Sequence, residues 1–226
     1  MPACFITATN RGIGLELARA ALSKGWTVYG SVRSAEAALA SGKELGPRYE
    51  PLIFDVTDHE AVKSAAAGLT GAIDLLINNA GVIGPDRQTP HDMDFDGFAE
   101  TLAVNTLAPL AVSQAFLPHL RRSDRARILT VSSQMSWMGY RKPDTLAYRA
   151  SKAAVNKVMQ GLATALEEEG IPVALVDPGW VRTDMGGPAA DTCPVDVAQG
   201  VLKIAETVTL ADTGKFFKWT GEERPF

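Results

Sequence analysis

Short apolar runs alternate along this chain with segments whose apolar residues recur at helical spacing. Ala3 to Ala8 reads as a strand. In Ile13 to Lys24, the residues Ile13, Leu17, Ala20 and Ala21 share a helical face, and Gly25 follows as a stop. Trp26 to Val32 is a second strand, Glu36 to Leu45 a helix-prone stretch, and Pro51 to Phe54 a third strand. Thr57 or Asp58 caps the next helix, which runs through Leu69. Ile73 to Ile77 is a fourth strand, and Phe95 to Leu120 reads as one long helix with Pro109 at a kink or an early turn. Ile128 to Val131, the helix Ala147 to Glu168, Val173 to Val176, the helix Val195 to Val208 and Lys215 to Trp219 complete the series. The strands are continuously apolar and lack two-residue alternation. Such strands, separated by helices, predict a doubly wound α/β fold: a parallel sheet of about seven strands covered by helices on both faces. No linker or repeat divides the chain, so residues 1–226 are expected to form one domain.

Composition narrows the function classes. The 46% hydrophobic content suits a packed globular protein. The net charge of -4 gives no reason to expect a nucleic-acid or anionic-membrane surface. Two cysteines, Cys4 and Cys193, form no disulfide framework, and His59, His91 and His119 are scattered, reading as surface or capping residues; no metal site is expected. The first residues enter a strand at once, without a signal-peptide pattern, and no apolar run reaches the ~18 residues of a membrane span. The expected compartment is the cytoplasm.

The chemistry-bearing residues fall where strands end. Thr7-Ala8-Thr9-Asn10-Arg11-Gly12-Ile13-Gly14 joins the first strand to the first helix. A helix N-terminus offers free N–H groups and partial positive charge to a phosphate; Gly12 allows its close approach, and Gly14 allows tight helix-on-strand packing. Alone, this is equally a turn that caps a helix without a ligand. Asn78-Asn79-Ala80-Gly81 ends the fourth strand, and Pro178-Gly179-Trp180-Val181-Arg182-Thr183-Asp184-Met185 follows the sixth. Ligands of open α/β sheets bind at these carboxyl ends. Tyr148 and Lys152 stand four apart near the start of a helix, and so share a face.

Together these motifs resemble the short-chain dehydrogenase/reductase family, a Rossmann-type fold. The resemblance runs from about Ala3 to the end of the chain and is nearest to small carbonyl reductases of the sniffer type, with Lys215-Phe216-Phe217-Lys218-Trp219-Thr220-Gly221-Glu222-Glu223 contributing to it. It implies an oxidoreductase that exchanges hydride between a nicotinamide cofactor and a small carbonyl or alcohol. Tyr148 is then the acid–base group: a free tyrosine (pKa ~10) needs the Lys152 ammonium, together with the positive charge of the oxidised nicotinamide, to ionise near neutrality. Ser133 orients the substrate, with Ser136 as the alternative, and Asn105 holds a water of a proton relay that includes Lys152. The cofactor set is Thr7, Asn10, Arg11, Gly12, Ile13, Gly14, Arg33, Asp55, Val56, Asn79, Ala80, Gly81, Tyr148, Lys152, Pro178, Gly179, Val181 and Thr183. The second strand ends in Val32-Arg33 with no acid, which favours NADP over NAD: Arg33, helped by Arg11, faces the 2′-phosphate unless both are plain surface arginines. Asp55 accepts from the adenine or merely caps a helix.

The family usually has glycine at position 8. If that position needs positive φ, Ala8 costs on the order of 1 kcal/mol. Met135, Trp137, Met138, Tyr140, Trp180 and Met185 either line an apolar substrate pocket or pack against other protein. A homodimer through the two long helices is a further expectation, with Ala153, Ala154 and Gly161 at the contact or else facing the sheet. Two competing functions remain. One is a nucleotide-sensing regulatory protein without turnover. The other is a nucleotide-sugar epimerase or dehydratase, for whose extra domain there is little room.

Overall fold

The apolar runs become the inner strands of one sheet, in a computed structural model that describes residues 1–226. The elements in order are β1 (Ala3–Ile6), α1 (Gly12–Ser23), β2 (Thr27–Val32), α2 (Ala35–Leu45), β3 (Tyr49–Ile53), α3 (His59–Ala67), β4 (Leu75–Asn78), β5 (Gln88–Thr89), β6 (Asp92–Met93), α4 (Phe95–Leu102), a π-helical turn (Ala103–Leu107), α5 (Ala108–Leu120), β7 (Arg127–Val131), a 3₁₀ turn (Gln134–Ser136), α6 (Leu146–Leu166), β8 (Val173–Asp177), α7 (Pro194–Thr207), a second 3₁₀ turn (Leu210–Asp212), β9 (Phe216–Lys218) and β10 (Glu223–Arg224). The sheet order is β10-β9-β8-β7-β4-β1-β2-β3, parallel throughout except for β10, which returns antiparallel to β9.

Successive strand residues serve opposite faces. Cys4, Ile6, Leu75, Ile77, Leu129 and Val131 pack with α1 and α7, while Phe5, Leu76 and Ile128 pack with α3, α5 and α6. Phe5 stacks on Phe116 of α5 with ring centroids 3.9 Å apart. Two covered faces explain why the strands are apolar at every position, and each large side chain so buried contributes roughly 1.5–3 kcal/mol.

The sheet departs from the expectation at its margins. It has eight strands, because Gly221 at φ 98° turns the chain back to form β10. A separate two-stranded hairpin, β5–β6, was not foreseen. The helix expected over Phe95–Leu120 is broken. Pro109 has no N–H for the Asn105 carbonyl four residues back, and the ladder widens there, with the Ala108 N–H bonding the Ala103 carbonyl. Of the two candidate caps for α3, Asp58 does the work, accepting from the Ala61 amide at 3.0 Å.

Of the two roles expected for His119, the capping one holds: it is buried, with Nδ1 2.8 Å from the Gly71 carbonyl and Nε2 2.9 Å from the Ala66 carbonyl, tying α5 to the end of α3. Cys4 lies in the core. No three His, Cys, Asp or Glu converge in a way that could hold a metal ion, and no helix is long and apolar enough to cross a membrane.

From β1 the chain builds outward to β2 and β3, then returns to the other side of β1 as β4. The reversal opens a crevice at the carboxyl ends of β1 and β4, where open α/β sheets bind ligands.

Candidate active site

The crevice is stitched by threonine and asparagine. The Thr7 hydroxyl accepts from the amides of Asn79 and Ala80, both at 2.8 Å, and the Asn79 side chain donates back to the Thr7 carbonyl at 3.0 Å. The turn out of β1 then bends sharply. Gly12 has φ 55°, and a Cβ on Gly14 would stand 2.0 Å from the Ala8 carbonyl oxygen, so only glycine lets α1 sit this close. Arg11, the residue before α1, lies in extended backbone and provides no side-chain cap; no acid occupies the first turn. The leading N–H groups of α1 thus keep their positive end without a side-chain partner, which fits a pyrophosphate. Asn10 is exposed beside them, and Ile13 packs into the core below.

Arg33 is exposed just past β2, and Asp55 lies just past β3. Partial burial pushes the Asp55 carboxyl up. Hydrogen bonds from the Thr57 amide and hydroxyl and the Arg33 charge outweigh this and hold it below its ordinary value. Val56 is buried beside it. Arg11 pairs with Asp184 at 3.0 Å, but both are largely exposed, so the pair is worth at most about 1 kcal/mol and Arg11 is free to exchange partners. Thr183 leans its methyl toward Gly12, so the segment after β8 closes over the glycine turn. Pro178 and Val181 are buried at its root, with Gly179 at φ 76° between them.

At the neighbouring edge, α6 presents Tyr148 and Lys152, 9% and 4% exposed. The Lys152 ammonium donates to the Val131 carbonyl at 2.9 Å and lies 5.8 Å from the centre of the Tyr148 ring. Burial lowers Lys152 to about 8. Burial also raises Tyr148, to about 12; the Ser133 hydroxyl draws it down and the Asp177 charge adds to the rise. In the protein alone burial dominates the tyrosine; the lowering expected from Lys152 acting with an oxidised nicotinamide concerns the cofactor-bound state.

The serines divide their duties. Ser132 donates to Asn156 at 2.5 Å, and Ser136 donates to the Ser133 carbonyl at 2.6 Å while accepting from Asn156 at 2.8 Å. Both are committed to structure, and Ser133 is the serine whose hydroxyl acts on Tyr148. The Asn105 amide lies in the π turn. It donates to the Val82 carbonyl (2.8 Å) and the Ser151 hydroxyl (2.9 Å), and it accepts from the Val82 amide (2.9 Å). Gly81 passes directly over this cluster: a Cβ there would stand 3.3 Å from Asn105 Oδ1 and 3.6 Å from Lys152 Nζ.

Three contributors were missed from sequence. Ser151 joins α6 to Asn105. Gln88, buried in β5, accepts from the Tyr148 amide at 3.2 Å, capping a helix whose own N-cap, Thr145, makes no side-chain capping bond. Asp177, fully buried at the end of β8, accepts from the Gln134 and Gly179 amides, each at 3.0 Å. Only Asp177 carried a signal: an acid ending an apolar strand is costly unless it is bonded.

The mouth is apolar and open. Val82, Ile83, Trp137, Met138, Tyr140, Trp180 and Met185 are all exposed, and Met135 is half-buried. Trp180 is 50% exposed yet fixed by its Nε1 donating to the Gly186 carbonyl at 2.8 Å.

A crevice fit for a dinucleotide beside a buried Tyr–Lys–Ser–Asn cluster defines a nicotinamide-dependent oxidoreductase site. A family profile described as short chain dehydrogenase matches residues 2–193. The chain belongs to that family and is related to its carbonyl reductases. Its structure is similar to an NADPH-bound carbonyl reductase from chicken fatty liver: TM-score 0.92, 29% identity, 100% of this chain and 99% of that one. It is likewise similar to the carbonyl reductase Sniffer of D. melanogaster, with TM-score 0.92, 26% identity and 100% of both chains. Among sequence relatives, a Myxococcus xanthus protein named C-signal is 39% identical over 158 residues, which is 70% of this chain and 95% of that protein.

Ala8 has φ 59°, so the glycine-favouring conformation is retained with an alanine in it. Ala8→Gly is expected to raise unfolding free energy by about 1 kcal/mol in urea titration. A loss of stability would show that packing of the Ala8 methyl outweighs the backbone strain.

Proposed function

We propose that residues 1–226 work as a single dinucleotide-binding and catalytic domain, an NADP-dependent reductase of small aldehydes or ketones. The observation that carries this is the buried Tyr148–Lys152–Ser133–Asn105 cluster beside a helix N-terminus free of side-chain caps and acids. The nicotinamide supplies hydride to the carbonyl carbon when bound. Thr7, Asn10, Gly12, Ile13 and Gly14 hold the pyrophosphate side, and Arg33 with Arg11 the 2′-phosphate. Asp55 and Val56 hold the adenine. Asn79, Ala80, Gly81 and Lys152 hold the ribose nearer the reaction, while Pro178, Gly179, Val181 and Thr183 hold the carboxamide side. Tyr148 gives its phenolic proton to the substrate oxygen, and Ser133 donates to the same oxygen and orients it. Asn105, braced by Val82 and Ser151, fixes the π turn against α6 and keeps a proton path from Lys152 to solvent.

The Myxococcus relative is named C-signal, and a signalling role is the alternative reading. The complete four-residue cluster favours turnover, since a sensor has no need of a buried acid. NADPH oxidation against a panel of aldehydes, ketones and quinones separates the two: absence of turnover on every member would favour the sensor. The apolar mouth favours a nonpolar carbonyl compound.

Ala153 and Ala154 are half-buried, and a Cβ on Gly161 would meet open space, so this stripe of α6 is not packed on the sheet. We infer a homodimer through α5 and α6, checked by sedimentation equilibrium; a monomer mass at all concentrations would refute it.

NADPH is expected to bind more tightly than NADH, and Arg33→Ala to narrow the gap by ~1.5–3 kcal/mol, the worth of a charge-assisted contact. Fluorescence titration of both cofactors decides it, and equal wild-type affinities would sink NADP preference.

Tyr148→Phe should cut turnover at least ~10²-fold and leave NADPH affinity nearly unchanged. Lys152→Ala should damage both. Lys152 keeps its ammonium below about 8 and loses it above. NADPH affinity of the wild type should therefore fall as pH rises past that point, and Lys152→Ala should flatten the dependence. Near wild-type turnover in folded Tyr148→Phe would overturn the mechanism.

A further inference from the structure

Asp177 does none of the chemistry assigned to Tyr148, Lys152, Ser133 and Asn105, yet it is 0% exposed at the edge where they meet. A carboxylate taken out of water costs several kcal/mol unless it is well paired. Its Oδ1 accepts from two amides, those of Gln134, next after Ser133, and Gly179, next after Pro178. A neutral asparagine or serine would satisfy those donors without burying a charge. The charge answers instead to Arg224 in β10, whose Nε lies 2.7 Å from Oδ2, an ion pair by distance in which the N–H is not aligned on the oxygen as a hydrogen bond. Arg224 sits opposite Phe216 in the β9–β10 hairpin, and the Trp219 amide donates to the Asp177 carbonyl at 2.8 Å. One side chain thus joins the end of β7, the Pro178-Gly179 turn and the last hairpin of the sheet.

We propose that Asp177 and Arg224 are a positioning pair through which the docked β9–β10 hairpin holds the Ser133 strand end and the Gly179 turn in place for reaction. The catalytic consequence rests on the role assigned above to Ser133. No hydrogen bond joins Arg224 to Gln134 or Gly179; it acts by fixing the carboxylate that binds both. The groups facing Tyr148 fit this layout: Lys152 from its own helix, Gln88 from β5, Ser133 from the end of β7, and Asp177 from the end of β8 with Arg224 behind it.

The test compares Arg224→Gln, Arg224→Lys and Ser133→Ala with the double variant Arg224→Gln/Ser133→Ala. Amide hydrogen exchange by NMR gives a readout that needs no turnover. Arg224→Gln should speed exchange at Gln134 and Gly179 by about tenfold, as expected when a buried charge loses its partner, and Arg224→Lys should restore much of the protection. Unchanged exchange at both amides would overturn the pair, whether or not the protein reduces any carbonyl. In turnover, Arg224→Gln should lower kcat about tenfold in the wild-type background and scarcely at all in Ser133→Ala, because residues acting through one another are not additive. Equal losses in the two backgrounds would show that Arg224 does not act through Ser133. If the wild type reduces no carbonyl at all, the proposed function fails while the exchange experiment still decides the pair.

Discussion

The Lys152 ammonium donates to the Val131 carbonyl at 2.9 Å, and through this contact α6 is fastened to the end of an inner strand. An ammonium is a strongly hydrated charge, and holding it almost dry costs free energy that one carbonyl only partly returns. The depressed pKa of about 8 is the measure of that cost. The same edge carries the uncapped N-terminus of α1 and the exposed Arg33. An overall charge of -4 therefore conceals a cleft whose fixed charges and dipoles favour an anionic ligand.

Two hydrogen-bonded networks brace this site. Ser132, Asn156 and Ser136 form a closed chain of hydrogen bonds behind Ser133. Asn105, Ser151 and Thr106 form another between the π turn and α6. Buried networks with every member bonded are rigid, whereas unbonded ones are expensive. Backbone strain gathers at the same edge. The two non-glycine residues with positive φ are Ala8, in the glycine turn, and Thr145, immediately before the helix of Tyr148 and Lys152. Residues in such conformations persist where the surrounding structure over-determines them, and they cluster at functional sites.

The legible part of this fold is the part governed by local rules. Continuous apolar strands declared a sheet covered on both faces, and a four-residue spacing declared that Tyr148 and Lys152 share a face. Position 8 announced its own strain. Features set by tertiary contact were not legible. Gln88 serves the start of α6 from a hairpin sixty residues away, joined by strands only two residues long. Arg224 looks like a surface residue until the Gly221 turn folds it back over β8. Pro109 lay between these cases: its missing N–H was visible, but the sequence did not distinguish a kink from the wider π turn that brings Asn105 to Val82 and Ser151. For His119 the sequence left surface and capping roles open, because its two carbonyl partners come from the end of α3 and the loop after it.

The opposite shifts of Tyr148 and Lys152 share one cause and bear on the direction of reaction. Burial disfavours whichever form is charged, so it keeps the phenol protonated and makes the ammonium easier to discharge. With a pKa of about 12, Tyr148 holds its proton throughout the physiological range. If it is the acid, oxidation of an alcohol would need its phenolate, a scarce form in the protein alone. Reduction starts from the abundant form. As hydride reaches the carbonyl carbon, the oxygen becomes an alkoxide, a stronger base than the phenolate, and the proton moves downhill toward it. In the proposed reaction, a tyrosine desolvated in this way would yield its proton only to the charge that develops on the substrate.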